Sequence, residues 1–198
     1  MTILTTDRLI LRPWRDDDCD ATALFRYASN PDVGPAAAWP AHTSLTESRS
    51  IIRDVLNARE TYAVVFNKSN ATSRPVAGTP IGSIGLAELS STVDPSELER
   101  RHAMEIGYWI GEPFWGQGLI PEAAGALIRH GFEDLGLTAV WGTHDIDNHK
   151  SARVMDKLGL RLIRIHPRTH LALLGNVYRD EAVRRITKKE WTERTAER

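Results

Sequence analysis

The stretch from Glu105 to Gly136 constrains the fold of this chain most, because its side-chain periodicity changes partway along it. Residues 105–110 (EIGYWI) alternate in character and are rich in β-branched and aromatic side chains, which predicts a β-strand. From Ile120 onwards, apolar residues recur every three or four positions, the pattern of one face of an α-helix. Pro121 fits the first turn of that helix, where its missing N–H has no intrahelical partner. The stretch therefore predicts a strand, a turn and a helix.

The turn between them, residues 113–118 (PFWGQG), has the features of an anion site. Gly116 and Gly118 let the backbone approach a ligand closely, and N–H groups at a helix start point at whatever lies in front of it. A P-loop would place a lysine directly after Gly118, and a dinucleotide fingerprint would place a glycine or alanine at Pro121; neither is present. Two interpretations remain, a pyrophosphate-binding turn of another kind and a packing element without a ligand.

This glycine spacing resembles the signature of the GNAT acetyltransferase superfamily, Q/R-x-x-G-x-G/A between the fourth strand and the third helix. Gly116 and Gly118 match that signature, whereas Pro113 departs from its first position. Residues 148–160 resemble the second superfamily signature, N-x-x-S/A ending in K-x-G-F, with Leu160 in place of the phenylalanine. The two motifs occur in the order that the superfamily has them.

The longer run EIGYWIG-x-P-x-WG-x-G, the helix opening PEAA and the N-terminal TDRLILRPW resemble the RimJ/RimL branch. Members of that branch acetylate the N-terminal amines of ribosomal proteins. The resemblance covers nearly the whole chain and implies a single acetyltransferase domain over residues 1–198. The fold that it implies is α/β, the GNAT fold, with a mixed, mostly antiparallel central sheet splayed near strands four and five and with helices on both faces.

Side-chain periodicity and turn residues predict the individual elements. The predicted strands are 6–14, 62–66, 80–89, 105–110 (strand four), 138–144 (strand five), 161–166 and 173–186, the last with a turn at Gly175–Asn176. The predicted helices are 21–28, 46–59, 120–135 and a helix from the capping residue Asn148 to Leu158, with loops at 33–44, 67–78 and 90–101. Acidic residues 16–20 are interpreted as helix caps, and the charged C-terminal end is expected to fray.

The resemblance implies acetyl-coenzyme A as the cofactor. Its pyrophosphate would lie on the glycine turn, and its pantetheine arm would pair with the backbone of strand four. The cofactor-binding residues that the resemblance implies are Tyr108, Trp109, Ile110, Trp115, Gly116, Gln117, Gly118, Leu119, Ile120, Asn148 and Ser151.

Acyl transfer from a thioester to an amine needs a neutral amine, a donor for the oxyanion and, for the leaving thiolate, a proton. By the resemblance, Glu105 deprotonates the amine through water; the other interpretation is a surface glutamate at a strand end. Met155 stands where many members have a tyrosine acid, so Ser151 is the implied acid or else an ordinary capping residue. Trp39 and His42 would border the acceptor pocket, although Trp39 could simply cover the core.

Composition sets limits on partners. The net charge of −1 gives no sign of a nucleic-acid binder, and Cys19, the only cysteine, excludes an intrachain disulfide and a cysteine-based zinc site. No metal site is expected from the histidine spacing. No apolar run approaches the roughly 20 residues that cross a bilayer, and no signal peptide is visible. A cytoplasmic monomer or homodimer without membrane contact is expected.

The sequence thus predicts an N-acetyltransferase that moves acetyl from acetyl-coenzyme A to a primary amine. The leading acceptor is a protein N-terminal α-amine. A small-molecule amine, such as a polyamine, an amino acid or an antibiotic, is the alternative within the same class. A catalytically silent acyl-coenzyme A binding module is the alternative outside it.

Overall fold

The computed structural model of the chain describes residues 2–67 and 78–196. Over these residues, the strands form one eight-stranded sheet in the order β1-β2-β3-β4-β5-β6-β8-β7. The strands are β1 (Leu4–Thr5), β2 (Leu9–Pro13), β3 (Thr61–Phe66), β4 (Pro80–Ala87), β5 (Ala103–Ile110), β6 (Ala139–Asp145), β7 (Arg161–His170) and β8 (Tyr178–Thr187). The α-helices are α1 (Asp18–Ala28), α2 (Leu45–Ile51), α3 (Glu97–Arg100), α4 (Leu119–Glu133), α5 (His149–Leu158) and α6 (Lys188–Ala196).

The sheet is mixed and mostly antiparallel, as predicted. Strands β1, β2, β3 and β4 pair antiparallel in sequence order, and β8 pairs antiparallel with both β6 and β7. Strands β5 and β6 pair in parallel, from Ala103 opposite Ala139 to Glu105 opposite Trp141. That ladder ends at Glu105 although β6 continues to Asp145. The short ladder agrees with the predicted splay between strands four and five, which are β5 and β6, and the α/β GNAT fold class is confirmed.

The chain divides into two compact units. Unit 1 consists of Met1–Gly85 and Tyr108–Ala126, and unit 2 of Leu86–Gly107 and Leu127–Arg198. Each unit has an apolar cluster of its own. The buried members in unit 1 are Trp14, Ala21, Leu24, Ala28, Ile52, Ala63 and Val65. Those in unit 2 are Val93, Ala103, Ala139, Trp141 and Val183.

The strand predicted for residues 6–14 is shorter in the structure, where β2 covers Leu9–Pro13 and the separate strand β1 (Leu4–Thr5) precedes it. The backbone N–H of Thr6 donates to the carbonyl of Leu9 over 2.9 Å, and the N–H of Leu9 donates to the Thr6 hydroxyl oxygen over 2.9 Å. These local bonds compete with extended pairing and turn the chain between β1 and β2. The helix predicted for residues 46–59 likewise is divided, because a π-helical turn at Ile52–Leu56 follows α2.

The prediction that the C-terminal end frays is wrong for Lys188–Ala196. Residues Lys188–Ala196 form α6, whose Trp191 ring lies 6.3 Å from the Phe132 ring in the same unit. The Lys188 ammonium donates to the Phe132 carbonyl over 2.7 Å, and the Arg194 guanidinium donates to the Lys157 carbonyl over 3.0 Å. These tertiary contacts hold a helix that its charged sequence alone would not stabilise.

Two expectations from the sequence remain, a long hairpin loop and the lack of a membrane-spanning segment. The long hairpin loop predicted for residues 67–78 lies, apart from its two end residues, outside the described part of the chain. Among the helices that are described, none is both long enough and apolar enough to cross a bilayer.

Candidate functional site

The predicted phosphate turn lies in unit 1, between the end of β5 and the start of α4. Gly116 and Gly118 have φ values of +74° and +73°, in the left-handed region that glycine adopts without steric cost. A Cβ atom built on Gly116 would have no atom within 4 Å, so the space in front of its backbone is open. The Gln117 side-chain amide donates to the Pro113 carbonyl over 2.9 Å and closes the turn on itself.

Consecutive backbone N–H groups of this turn have no hydrogen-bond acceptor within the part of the chain that the structure describes. No hydrogen bond to another described residue is donated by the backbone N–H of Gly116, Gln117, Gly118, Leu119 or Ile120. The first paired amide of α4 is that of Glu122, which donates to the Gly118 carbonyl over 3.3 Å. Donors left unpaired at a helix start attract anions, and the helix dipole adds to this. The turn therefore fits a pyrophosphate group without a metal.

The end of β5 belongs to the same unit as the turn. The indole N–H of Trp115 donates to the Ile110 carbonyl over 2.9 Å and fixes the turn against the strand. Tyr108 and Trp109 precede Ile110 in β5, and the Trp109 ring packs 5.8 Å from that of Trp39. The structure thus brings the predicted pantetheine strand, Tyr108–Ile110, and the predicted pyrophosphate turn together in unit 1.

Trp39 and His42, predicted to border the acceptor, also lie in unit 1 and contact each other. Their ring centroids are 5.2 Å apart, and His42 Nδ1 hydrogen-bonds the buried Ser48 hydroxyl over 2.8 Å. Burial lowers the pKa of His42, only partly opposed by the charge of Glu47, so the imidazole is neutral at pH 7. Trp39 is half-buried against the apolar cluster of unit 1, so it both covers the core and keeps an accessible edge.

Glu105, the predicted base, lies in unit 2 and is held by two donors. Its Oε1 accepts from the Thr143 hydroxyl over 2.7 Å, and its Oε2 accepts from the Ser90 backbone N–H over 2.9 Å. Each carboxylate oxygen has a second lone pair. The side chain is therefore fixed in orientation yet can accept one further hydrogen bond at each oxygen.

Glu181 in β8 is a carboxyl group near Glu105 that sequence reasoning missed. Burial raises the pKa of Glu181, hydrogen bonds from Thr169 and Thr92 partly oppose this, and the charge of Glu105 raises the pKa further. The register of β8, which pairs Glu181 with Asp145 on one side and His166 on the other, brings it to this position. No local motif marks it, because strand register decides which side chains share a face.

Asn148 and Ser151 form the start of α5 in unit 2. The Asn148 side-chain oxygen accepts from the Ser151 backbone N–H over 3.0 Å, so Asn148 is the predicted helix cap. Gly159 ends the helix with φ of +85°, also as predicted. Met155 is 1% exposed, and a Cβ atom at Gly142 would lie 2.8 Å from its terminal methyl carbon. Met155 is therefore a core residue, consistent with its having no acid function.

Two other kinds of site, a metal site and a cavity in unit 2, have little support as functional sites. Over residues 2–67 and 78–196, no three His, Cys, Asp or Glu residues lie close enough together to hold a metal ion. A cavity of about 620 Å³ in unit 2 includes none of the predicted site residues. Two of its arginines already pair with carboxylates, Arg184 with Asp156 and Arg161 with Glu190.

Comparison with known proteins agrees with these features. The acetyltransferase (GNAT) domain family matches residues 8–161. A Bacillus subtilis (strain 168) protein, uncharacterized N-acetyltransferase YoaA, is 29% identical over 163 residues, covering 80% of this chain and 82% of that protein. The acetyltransferase (GNAT family) from Bacillus anthracis has a TM-score of 0.77 at 23% identity, covering 96% of this chain and 100% of that one. Mycobacterium smegmatis RimJ in complex with CoA-disulfide has a TM-score of 0.68 at 21% identity, covering 92% and 83%.

Proposed function

The chain belongs to the acetyltransferase (GNAT) domain family and is an acyl-coenzyme A dependent N-acetyltransferase, and from this premise we propose that its acceptor is a protein N-terminal α-amine. The family uses acetyl-coenzyme A as acyl donor. The observation that carries the cofactor assignment for this chain is the run of unpaired amides from Gly116 to Ile120. The resemblance of the motifs to the RimJ/RimL branch, and the structural likeness to a RimJ protein, support the acceptor assignment.

We assign the cofactor to residues of unit 1 first. The amides of Gly116–Ile120 hold the pyrophosphate, and the backbone of Tyr108–Ile110 pairs with the pantetheine arm, with Trp115 fixing the two segments to each other. Asn148 and Ser151, which lie in unit 2, are proposed as cofactor residues on the resemblance of their motif to the second superfamily signature. When bound, acetyl-coenzyme A supplies the acetyl group as a reactive thioester.

The proton steps are assigned to unit 2. Glu105 accepts the proton of the acceptor amine through a water molecule, using a lone pair not taken by Thr143 or Ser90. The Ser151 hydroxyl donates a hydrogen bond to the leaving sulfur and passes it a proton while taking one up from solvent water. Its backbone N–H donates to the side-chain oxygen of Asn148, which holds Ser151 in the first turn of α5.

The acceptor assignment also has a chemical basis. An N-terminal amine has a reference pKa of roughly 7.7–8.0 and a lysine amine about 10.4. At neutral pH a sizeable fraction of N-terminal amines is already neutral, so one carboxylate acting through water suffices. A lysine would require a much stronger base or a strongly desolvating pocket. We place Trp39 and the neutral His42 beside the acceptor, where an imidazole without charge does not repel an ammonium group.

An acceptor screen tests this proposal. The enzyme is incubated with acetyl-coenzyme A and matched peptides that have either a free N-terminus or a blocked N-terminus with internal lysines, and with polyamines and single amino acids. Mass spectrometry is expected to place the acetyl group on the free α-amine. Acetylation of lysines alone, or of small amines alone, would refute the acceptor assignment. Coenzyme A binding without release of thiol in every case would indicate a binding module.

A further inference from the structure

Arg8, directly before β2, is joined to the first turn of α4 by several hydrogen bonds. Its Nε donates to Glu122 Oε2 over 2.6 Å, and its backbone N–H donates to Glu122 Oε1 over 2.9 Å. The Thr6 hydroxyl donates to the same Oε1 atom over 2.6 Å. Glu122 is therefore surrounded by donors, all from unit 1, and it connects the N-terminal strand to the helix that follows the phosphate turn.

Arg8 also holds the turn itself. Its Nη1 donates to the carbonyl oxygen of Gln117 over 3.1 Å. In a trans peptide the carbonyl and the following N–H point in opposite directions. No peptide bond of the described chain is cis, so the Gly118 N–H points away from Arg8. The guanidinium therefore fixes the plane of the peptide that carries one of the unpaired amides.

The Arg8–Glu122 pair is charged and partly shielded from solvent. The exposed fractions of the two side chains are 37% and 20%. Burial tends to raise the pKa of Glu122, but hydrogen bonds from Thr6 and from the backbone and side chain of Arg8 outweigh it, and the net pKa is lowered. The contact therefore persists throughout the neutral pH range.

The turn lacks a charged support of its own. Pro113, at the first position of the glycine signature, has neither a backbone N–H nor a polar side chain, and residues 113–118 contain no lysine or arginine. Arg8 Nη2 lies 3.7 Å from the position that a Cβ atom on Gly118 would take. Arg8 therefore brings a positively charged guanidinium group into direct contact with the backbone of the turn.

We propose that Arg8, with Glu122, positions the peptide between Gln117 and Gly118 so that the Gly118 amide is aimed at the pyrophosphate of acetyl-coenzyme A. The inference rests on the proposed function, since it assumes that the turn holds a pyrophosphate. Glu122 fixes the guanidinium, the guanidinium fixes the Gln117 carbonyl, and the Gly118 amide is presented before the ligand arrives. Arg8 acts on the cofactor through the turn, and it is a positioning residue.

Two acyl donors distinguish this role from a general structural one. Acetyl-coenzyme A contains the pyrophosphate, whereas acetyl-pantetheine has the same thioester without it. In the Arg8→Met variant, kcat/KM for acetyl-coenzyme A is expected to fall roughly 10- to 100-fold, the effect of losing charge-assisted hydrogen bonds, with the loss mainly in KM. The value for acetyl-pantetheine is expected to stay within about twofold of wild type, because that donor does not use the turn.

Controls keep the test independent of folding. Arg49→Met removes another arginine of unit 1, one that pairs with Asp18 and does not contact the turn, and it should leave both donors unaffected. Arg8→Lys keeps a charge beside Glu122 but lacks the planar fork that spans Glu122 and Gln117. If Arg8→Met does not fold, as judged by its melting temperature, Arg8→Lys is measured instead and should show the same selective loss.

The possible results of this test distinguish failure of the positioning role of Arg8 from failure of the proposed function. An equal loss with both donors in the Arg8 variants, or no loss with either, would overturn the positioning role while leaving the acetyltransferase assignment intact. A wild-type enzyme that uses neither donor would overturn the proposed function instead. A wild-type enzyme that uses both donors equally well would overturn the pyrophosphate site on this turn, and the role of Arg8 with it.

Discussion

At the scale of single residues, the backbone conformation of the two glycines in the proposed phosphate turn restricts which residues can replace them. Both have positive φ, and Gly118 is followed directly by the unpaired amides of the start of α4. A side chain there adds strain and also narrows the approach of a ligand to the backbone. The second effect is absent at Gly136, which has φ of +70° and open space around its Cβ position but lies outside the turn.

Gly118→Val should therefore weaken coenzyme A binding by at least about tenfold, while Gly136→Val should leave the affinity unchanged. Both substitutions place a β-branched residue in the left-handed region, so each should destabilise the fold by on the order of 1–3 kcal/mol. Calorimetry with coenzyme A separates the two effects. Equal affinities in the two variants would remove the turn from the cofactor site.

Glu105 is the residue with the clearest catalytic expectation. Glu105→Gln keeps the size of the side chain and an oxygen for the Thr143 or Ser90 donor, so the fold should persist. The rate should fall roughly 100-fold or more, and most at low pH, where the acceptor amine is protonated and a base is needed. The matched control is Glu99→Gln, which removes a carboxylate that pairs with Arg185 in the same unit. A pH–rate profile that coincides with that of wild type would exclude Glu105 from the proton transfer.

At the scale of elements, the pairing of β6 with β8 includes His144, a histidine whose surroundings favour its neutral form. His144 Nδ1 donates to the Asp145 carbonyl over 2.7 Å, and His144 Nε2 accepts from Arg184 Nε over 3.1 Å. Burial lowers the pKa of His144; the bond to Asp145 partly opposes this, and the charge of Arg184 adds to it. The Arg184 bond requires the unprotonated Nε2 atom, so protonation breaks it.

The free energy of unfolding should consequently depend on pH through His144. Its folded pKa lies below the unfolded value of about 6.5, so the unfolded chain binds the proton more readily. The stabilisation is fully present above pH of about 6.5 and is lost as the pH falls towards the folded pKa. Urea unfolding of His144→Gln at pH 7.5 and 5.5 should show a smaller decrease than wild type, by at most about 1.4 kcal/mol per pH unit. His149→Gln, exposed at the start of α5, should decrease as wild type does; an unchanged dependence in His144→Gln would contradict this role.

Helix α6 contacts the rest of unit 2 through the aromatic side chain of Trp191. Trp191 packs against Phe132, whereas Thr192 beside it is exposed. Trp191→Ala should lower the free energy of unfolding by about 1–3 kcal/mol, and Thr192→Ala should change it by less than about 0.5 kcal/mol. Denaturant titrations of both variants measure this. Equal stabilities would mean that α6 is held by its polar contacts alone.

Local sequence predicted the elements whose residues interact with near neighbours. The strand–turn–helix around Gly116 and the Asn148 cap with its Gly159 stop depend on contacts within a few positions, and these predictions are confirmed. The acidic run before α1 shows the limit. Asp17 is the helix cap, but Asp20 is fully buried in an ion pair with Arg12, with N–O distances of 2.7 Å. Capping can be recognised from spacing, whereas burial of Asp20 depends on the packing of β2.

Contacts over long chain separations could not be predicted in this way. The Arg8–Glu122 hydrogen bonds join residues 114 positions apart, and Glu181 approaches Glu105 through the register of the sheet. Both depend on which strands and helices become neighbours, which side-chain periodicity does not specify. Trp191 is a similar case, because its contact with Phe132, like those of Lys188 and Arg194, joins the charged last helix to residues distant in the chain.

At the scale of the whole molecule, the proposed pyrophosphate and pantetheine contacts belong to unit 1, and the proposed proton steps belong to unit 2. The pyrophosphate contacts of unit 1 depend on backbone amides, and the resonance of each amide can be followed separately. Substitution cannot remove a backbone N–H without replacing the residue by proline, so spectroscopy is a more direct test than mutagenesis. Each amide of Gly116–Ile120 gives its own nitrogen–proton resonance.

The most direct measurement is therefore a titration of the ¹⁵N-labelled protein with coenzyme A and, separately, with pantetheine. Hydrogen bonds to a pyrophosphate deshield the donating protons, so the amide resonances of Gly116, Gln117, Gly118, Leu119 and Ile120 should shift downfield with coenzyme A and stay nearly unchanged with pantetheine. The amide of Gly136, a glycine of similar φ outside the turn, should not move with either ligand. Saturable binding of coenzyme A that leaves the amides of Gly116–Ile120 unshifted would contradict the assignment of the turn.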